Sequence, residues 1–202
     1  MRVTEIRPRR KQLSALYLDG EFAVSLDTKT LLEQRIDVGS ELDDEDLQEL
    51  IALSNENRAK EKALWLISYR SHSKKELTDK IRRTTTDEAA HKAADRMEEL
   101  GLINDEAYAR RYAEQLLFHK HMSKRAAAME LKRKGIDREL IDEVLEETDV
   151  DSREQAKEFL IKKYKNLGDE KTKRRAVAAL QRLGYGWEDI RGALADLTGD
   201  EG

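Results

Sequence analysis

The sequence predicts a mainly α-helical protein, an elongated array of three three-helix repeats that carries a small N-terminal α/β cap. A single proline in 202 residues favours long helical stretches, because proline interrupts both helices and central strands. Apolar residues recur at spacings of three and four from about residue 56 onward, as amphipathic helices require. Only 5% of the residues are aromatic while 40% are charged, which favours a row of small cores over one large core.

Residues 1–55 are predicted to form the α/β cap. Three short apolar runs are typical of strands: 3–6, 14–18 and 22–26. The pair Asp19-Gly20 separates the last two runs, and this dipeptide favours a two-residue hairpin turn. A sheet of three short strands needs a helix against one face, so we expect helices at 28–34 and 43–53 to cover it.

From residue 56 to the end of the sequence the pattern is helical, and it divides into three stretches of similar length. We place the three repeats at 56–103, 104–149 and 150–202. Each repeat contains three predicted helices: 58–70, 73–83 and 84–101, then 104–118, 123–134 and 137–147, then 151–168, 172–184 and 186–197.

The repeats align with one another at shifts of 50 and 49 residues. These shifts superpose Ser73, Ser123 and Thr172, the residues predicted to cap the second helices. In the middle repeat Asn104 is a predicted N-cap of the first helix, and Gly135 a left-handed stop after the second. Repeats of this length that bury one face against their neighbours form short helical solenoids. A non-repetitive domain of six or nine helices is the alternative.

Basic residues recur at fixed positions of the second helices. Counted from the predicted cap, positions 1, 2, 9 and 10 are basic in eleven of twelve cases, and Gln181 is the exception. Residues seven apart lie almost on one helical face, so each second helix presents a basic stripe away from its apolar seam. The residues predicted to bind a polyanion are Lys74, Lys75, Arg82, Arg83, Lys124, Arg125, Lys132, Arg133, Lys173, Arg174 and Arg182.

Acidic residues dominate the third helices, above all at 137–151, where eight carboxylates accompany one arginine. The net charge of −4 therefore conceals alternating basic and acidic stripes. A solvated surface of mutually neutralising helices explains any single stripe, whereas three aligned stripes favour a groove that faces a polyanion. Such a groove suits a polymer, because phosphate contacts are additive and need no base readout.

Three segments carry motifs of a known family: YRSHSKKEL (69–77), LGLINDEAYARRYAE (100–114) and ELKRKGI (130–136). On these motifs the chain resembles the RecX family of bacterial recombination regulators. The N-terminal segment 16–27 is similar to the extension of longer, Gram-positive-type members. The residues that match the family motifs are Arg70, Ser73, Asn104, Asp105, Tyr108, Tyr112 and Gly135.

The resemblance implies a protein that binds the RecA recombinase, especially its filament on single-stranded DNA. It also implies that the protein lies along the filament groove and limits filament extension, strand exchange and co-protease activity. We expect a cytoplasmic monomer without a membrane segment. The alternative is a stand-alone DNA-binding module of helical units that needs no recombinase, and the negative net charge counts against it.

No constellation of residues predicts catalysis, a cofactor or a metal centre. The sequence has no cysteine and no glycine-rich phosphate loop, and no pair of carboxylates stands out for acid–base chemistry. His72, His119 and His121 are predicted to be surface residues rather than metal ligands. We therefore expect a protein that is not an enzyme.

The aromatic residues of the helices are predicted to pack in cores. Tyr108 and Tyr112 share a helix face with Leu116, which favours core packing over base stacking. Trp65 and Trp187 are likewise expected to pack between helices.

Overall fold

The structure, a computed structural model, describes residues 1–199 and is mostly helical with an N-terminal sheet. The last three residues of the predicted third repeat lie outside the described residues. The strands are β1 (Val3–Pro8), β2 (Leu13–Leu18) and β3 (Glu21–Asp27). The helices are α1 (Thr28–Glu33), α2 (Asp44–Tyr69), α3 (Lys74–Ile81), α4 (Asp87–Glu99), α5 (Asp105–Glu114), α6 (Lys124–Arg133), α7 (Arg138–Glu146), α8 (Ser152–Lys163), α9 (Glu170–Arg182) and α10 (Trp187–Thr198).

The three strands form an antiparallel sheet in the order β1-β2-β3, as predicted. Leu18 pairs with Glu21 across the predicted hairpin turn. Asp19 and Gly20 have φ values of 49° and 90°, and a two-residue type I′ turn requires positive φ at both positions. One face of the sheet packs against α1 and α2 in a core of Val3, Leu16, Leu18, Leu26, Leu31, Leu42 and Leu50.

Helix α2 is continuous over 26 residues, where the sequence predicted two helices at 43–53 and 58–70. The polar run between the predicted helices does not interrupt α2, because its side chains bind the cap. The Asp27 amide donates to Ser54 Oγ at 2.7 Å, and Asn57 Nδ2 donates to Thr30 Oγ1 at 3.0 Å. The predicted boundary between cap and first repeat thus falls inside α2. The bounds of the four predicted domains remain predictions.

The chain divides into two compact units, and the first comprises residues 1–103. Its helical core lies between α2, α3 and α4 and is rich in alanine, with Ala59, Ala63, Ala90 and Ala94 fully buried. Small residues allow helices to approach closely, so this core needs few large side chains. The larger buried residues of the cluster are Leu66, Leu77, Ile81, Met97 and Ile103.

The second unit begins at Asn104 and contains two apolar clusters, one among α5–α7 and one among α8–α10. Helix α5 continues into a π-helical turn, Gln115–His119. The wider turn places both Leu116 and Leu117 in the core, although the two residues are adjacent in sequence.

Backbone and buried polar groups join the α5–α7 and α8–α10 clusters. The Ser123 amide donates to the Leu183 carbonyl at 2.9 Å. Gln155 Nε2 donates to the Leu117 carbonyl at 2.7 Å, and its Oε1 accepts from the Tyr185 hydroxyl at 2.9 Å. Burial raises the pKa of Tyr185, which keeps this hydroxyl protonated as a donor at neutral pH. The start of α6 therefore rests on the turn between α9 and α10.

An ion pair joins the first and third helices of every repeat. The pairs are Glu56–Lys92, Arg110–Glu143 and Arg153–Asp196, with N–O distances of 2.7, 2.7 and 2.9 Å. Exposed pairs of this kind contribute at most about 1 kcal/mol each, so they orient the helices more than they stabilise them.

Two helices of the third repeat have bounds that differ from the predicted ones. Helix α8 ends at Lys163 rather than at 168, and α9 starts at Glu170, before the predicted Thr172 cap. The cap is Asp169, whose carboxylate accepts from the Thr172 amide at 2.9 Å and from its hydroxyl at 2.8 Å. Aspartate is a stronger cap than threonine, and it adds most of a turn to the helix.

We expect Gly184→Ala to lower the free energy of unfolding by about 2–4 kcal/mol. Gly184 has φ +88°, and an added Cβ would lie 2.5 Å from Ala126 Cβ and 2.7 Å from Ser123 Oγ. Gly101→Ala is the matched control, because Gly101 has φ +68° but open space around its Cβ. The control should cost about 1–2 kcal/mol. Urea unfolding followed by circular dichroism measures both, and equal losses would show that the contact with α6 contributes nothing.

Candidate nucleic-acid interface

The candidate nucleic-acid contacts lie on the solvent-facing sides of α3 in the first unit and of α6 and α9 in the second unit. Each helix buries two apolar residues four positions apart: Leu77 and Ile81, Ala127 and Leu131, Ala176 and Leu180. Ser73 and Ser123 cap the first two helices as predicted, each accepting from an amide three residues on at 3.2 Å. The predicted basic residues occupy other faces of these helices, but the structure divides them into two groups.

The first basic residue after each serine cap points to the third helix of its own repeat. Lys74 Nζ binds Asp95 at 2.8 Å and Glu98 at 2.6 Å, and these carboxylates raise the pKa of Lys74 above its ordinary value. Lys124 Nζ donates to the Thr148 carbonyl at 2.6 Å, just beyond the end of α7. Cations are favoured at helix C-termini by the helix dipole. Both lysines therefore join helices within their repeats.

The remaining basic residues of α3 share a carboxylate. Asp79 accepts from Lys75 at 2.6 Å and pairs with Arg82 at 2.8 Å, and the hydrogen bond from Lys75 lowers the pKa of Asp79. Arg82 also approaches Asp87 at 3.4 Å. Arg83 is exposed and has no carboxylate partner in the described part of the chain. The first repeat thus keeps less free positive charge than its sequence suggests.

Helix α6 presents exposed cations without carboxylate partners. Arg125 and Lys132 are exposed and have no ion-pair partner among residues 1–199. Arg133 pairs with Glu130 on the same helix. Lys134 Nζ lies 5.8 Å from the centre of the Tyr112 ring, a cation–π distance.

Helix α9 contributes Arg174 and Arg182, both exposed and without an ion-pair partner in the described structure. Lys173 is half-buried and lines a surface cleft with Trp187 and Arg191. Gln181 occupies the exposed position that is basic in the other two repeats.

The hydrogen bond between Ser123 and Leu183 brings the basic stretches of α6 and α9 together. Arg125 follows Ser123 by two residues, and Arg182 directly precedes Leu183. The N-terminal end of one basic helix therefore meets the C-terminal end of the other. We call the exposed cations of these two helices, which lack ion-pair partners in the described structure, the α6–α9 surface: Arg125, Lys132, Arg174 and Arg182.

The residues that match the family motifs mainly hold helices in place. Arg70 makes a bidentate pair with Glu76, at 2.7 and 3.1 Å, next to the Ser73 cap. Asn104 caps α5 by accepting from the Ala107 amide at 2.8 Å. Asp105 lies in the first turn of α5, and Gly135 has φ +81° after α6. Tyr108 is buried with its ring 5.5 Å from that of Tyr112, which confirms the predicted core packing.

Acidic residues of α7 are partly engaged inside their own repeat. Arg110 of α5 binds Glu143 at 2.7 Å and also pairs with Glu147. Arg138 approaches Asp142 at 3.6 Å on α7 itself. This part of the predicted acidic stripe thus serves the packing of α5 on α7, in line with the solvated-surface alternative.

Three aromatic residues lie where the sequence did not predict them. Trp65 and Trp187 were expected to pack between helices, yet their relative solvent exposures are 49% and 60%. The signal was available for Trp65, because the inward spacing of Ala59, Ala63 and Leu66 places residue 65 more than 90° away from the core face. His72, predicted to lie on the surface, is only 3% exposed.

His72 is a buried titratable group in the turn between α2 and α3. Its Nδ1 lies 2.9 Å from the Arg70 carbonyl and donates to it, while Nε2 has no hydrogen-bond partner in the described residues. Burial lowers the pKa of His72, and the neighbouring charge of Arg70 lowers it further. The folded protein therefore holds this imidazole neutral.

The described residues contain no group of three or more side chains arranged to hold a metal ion. Nor does any helix within residues 1–199 combine the length and hydropathy needed to cross a bilayer.

Sequence comparisons match two segments of the helical region to known domains. The second three-helix domain of RecX matches residues 104–145, and the first matches 59–97. The regulatory protein RecX of Clostridium beijerinckii is 32% identical over 170 residues, which span 83% of this chain and 79% of that protein. The regulatory protein RecX of Bacillus subtilis is 30% identical over 96% of this chain and 76% of its own length.

Structural comparisons agree on the fold. A crystal structure of regulatory protein RecX superposes with a TM-score of 0.59 at 22% identity and covers 99% of both chains. A crystal structure of RecX from Lactobacillus salivarius gives a TM-score of 0.57 at 22% identity, over 72% of this chain and 98% of that one. The predicted fold class, mainly helical with a small N-terminal sheet, is confirmed.

We expect the protein to lose stability as the pH falls below about 6.5, partly through His72. The pKa of His72 is lower in the folded chain than in the unfolded chain. Over the pH range between these two pKa values, the unfolded chain therefore binds a proton at His72 that the folded chain does not bind. The stabilisation due to His72 is complete above the pKa of the unfolded chain. It is lost as the pH falls toward the pKa of the folded chain. It can change stability by at most about 1.4 kcal/mol per pH unit.

Urea unfolding of the wild type and of His72→Asn at pH 7 and pH 5 measures this contribution. Asparagine can still donate to the Arg70 carbonyl but does not titrate, so the variant should show a smaller loss between the two pH values. His121, whose pKa burial also lowers, remains in both proteins. An identical loss in the two proteins would contradict the assignment to His72.

Proposed function

The chain belongs to the RecX family of regulatory proteins, and on that premise we propose that it binds the RecA recombinase filament on single-stranded DNA and limits the extension of that filament. Strand exchange and co-protease activity, which need a complete filament, would fall with it. In this proposal the protein acts as a cytoplasmic monomer and performs no catalysis of its own.

The observation that carries the proposal is the exposed α6–α9 surface. Its cations are exposed and lack carboxylate partners among the described residues, so they are available to external anions. Binding to phosphates releases counterions from the nucleic acid, and this gain adds up over successive phosphates. A surface that spans two repeats suits a repeating polymer better than a compact ligand.

The internally paired cations have a separate part in the proposal. Lys74 and Lys124 fix the second helices against the third helices, and so set the direction in which the neighbouring cations point. Lys75, Arg82 and Arg133 already have carboxylate partners, which a phosphate would have to displace. We therefore assign the main contacts to the α6–α9 surface and secondary contacts to α3.

The combined variant Arg125→Glu and Lys132→Glu should weaken filament binding by more than about tenfold at low salt. It should also reduce the slope of log affinity against log salt by about 0.7 for each phosphate that the variant no longer neutralises. The measurement is binding to fluorescent single-stranded DNA across a salt series, with and without ATP-loaded RecA.

Arg138→Glu together with Lys162→Glu is the matched control, since both side chains are exposed and lie outside the α6–α9 surface. The control should bind as the wild type does, and circular dichroism should show that both variants are folded. Unchanged binding of the α6 variant would show that this surface does not contact the filament. Equal binding with and without RecA would instead favour a stand-alone DNA-binding module.

A further inference from the structure

An exposed aromatic pair lies on the C-terminal half of α2. Trp65 is 49% exposed and Tyr69 is 72% exposed. Their ring centroids are 4.7 Å apart with an interplanar angle of 59°, so the two rings form one tilted aromatic surface. Neither ring contributes to the apolar cluster of the first repeat.

Helix geometry aligns this pair with two cations. Arg58, Lys62, Trp65 and Tyr69 follow one another at spacings of four, three and four residues, which places them on one face of α2. That face runs for roughly 16 Å along the helix. The buried residues Ala59, Ala63 and Leu66 lie roughly 100° away around the helix. Trp65 and Tyr69 are therefore exposed, while Arg58 and Lys62 are half-buried.

Contacts of the cations extend the stripe toward α3. Lys62 Nζ lies 3.9 Å from the centre of the Trp65 ring, a cation–π contact. Arg58 Nη2 donates to the Thr84 carbonyl at 2.8 Å, next in sequence to the exposed Arg83. One end of the surface is thus aromatic and the other end is positively charged.

We propose that Trp65 and Tyr69 form a stacking platform for the bases of single-stranded DNA, with Lys62 and Arg83 facing the phosphates at the N-terminal end of the stripe. Aromatic side chains next to cations are the usual means of binding single strands without sequence preference, since every base has a π-face. The Lys62 ammonium covers the indole in the free protein, and it would move aside to pair with the phosphate of a stacked nucleotide. The choice of single-stranded DNA as the polymer rests on the proposed function.

The chemistry of the surface favours a nucleic acid over a protein partner. Lysine is depleted in protein–protein interfaces, whereas here Lys62 lies directly against the exposed indole. Here Leu64 is the exposed aliphatic neighbour on α2, and the other members of the stripe are Arg58 and Lys62. The platform and the α6–α9 surface would bind different parts of a nucleic acid. Stacking requires bases, whereas the basic helices require only phosphates.

Tryptophan fluorescence provides a direct test, because the sequence contains two tryptophans and both are exposed. Trp187→Phe leaves Trp65 as the single emitter, and Trp65→Phe leaves Trp187 as the matched control. Each variant is titrated, without recombinase, with oligodeoxythymidine of about 20 nucleotides and with an abasic strand of the same length. We expect the thymidine strand, and not the abasic strand, to quench Trp65, and neither strand to quench Trp187.

Alanine substitutions give the corresponding change in affinity. Trp65→Ala and Tyr69→Ala should each weaken binding of the thymidine strand by roughly 5- to 150-fold, while Trp187→Ala should not. All three side chains are largely exposed, so the variants should fold, and circular dichroism checks this.

Two results would overturn the platform. Equal quenching of Trp65 by both strands would mean that only phosphates are bound there. No quenching by either strand, together with loss of filament binding in Trp65→Ala, would make the pair a protein-docking site. Because recombinase is absent from the titration, a quenching result stands even if RecA proves indifferent to the protein, and the two proposals fail separately.

Discussion

Each three-helix repeat depends on the close approach of its helices over a small core. Alanines such as Ala63, Ala109 and Ala156 are fully buried on the first helices and allow this approach. Such a core removes little surface from solvent, so it must be supplemented by caps and by contacts between helices. It also occupies only a narrow face of each helix, which leaves the other faces available for charged side chains. The high fraction of charged residues in the sequence follows from this architecture.

The packing of the middle repeat on the last repeat adds a second constraint, and it is mostly polar. Gln155 and Tyr185 bury their polar atoms in hydrogen bonds with one another and with the backbone of the π-helical turn and the residues that follow it. Buried polar groups need well-aligned partners, so this network specifies one arrangement of α6 on the α9–α10 turn. Gly184 permits the approach, because any Cβ would meet Ala126. The contact between the start of α6 and the end of α9 thus depends on this polar network.

Local signals predicted the fold well where they act over a few residues. The Asp19-Gly20 turn, the Ser73 and Ser123 caps and the Gly135 stop all depend on short-range geometry, and the structure has each of them. The predicted helix ends were wrong where contacts outside the local motif determine the structure. The predicted helices left a gap at 54–57, but α2 continues through it, and the side chains of Ser54 and Asn57 bind Asp27 and Thr30 of the cap. The alignment of the repeats predicted Thr172 as the N-cap of α9, but the N-cap is Asp169. An alignment compares only equivalent positions, so it could not identify a cap three residues earlier.

The candidate interface shows the same limit more sharply, because one sequence pattern conceals two structural roles. Lys124 and Arg125 are adjacent and both basic, yet one binds the end of α7 while the other is exposed. Neighbouring residues on a helix point about 100° apart, so a periodic pattern of charge cannot separate internal ties from external contacts. In the proposed function this separation has a consequence. A cation that binds a polyanion must be held in direction without being neutralised, and the inward lysine meets that need by fixing the helix that carries its outward neighbour.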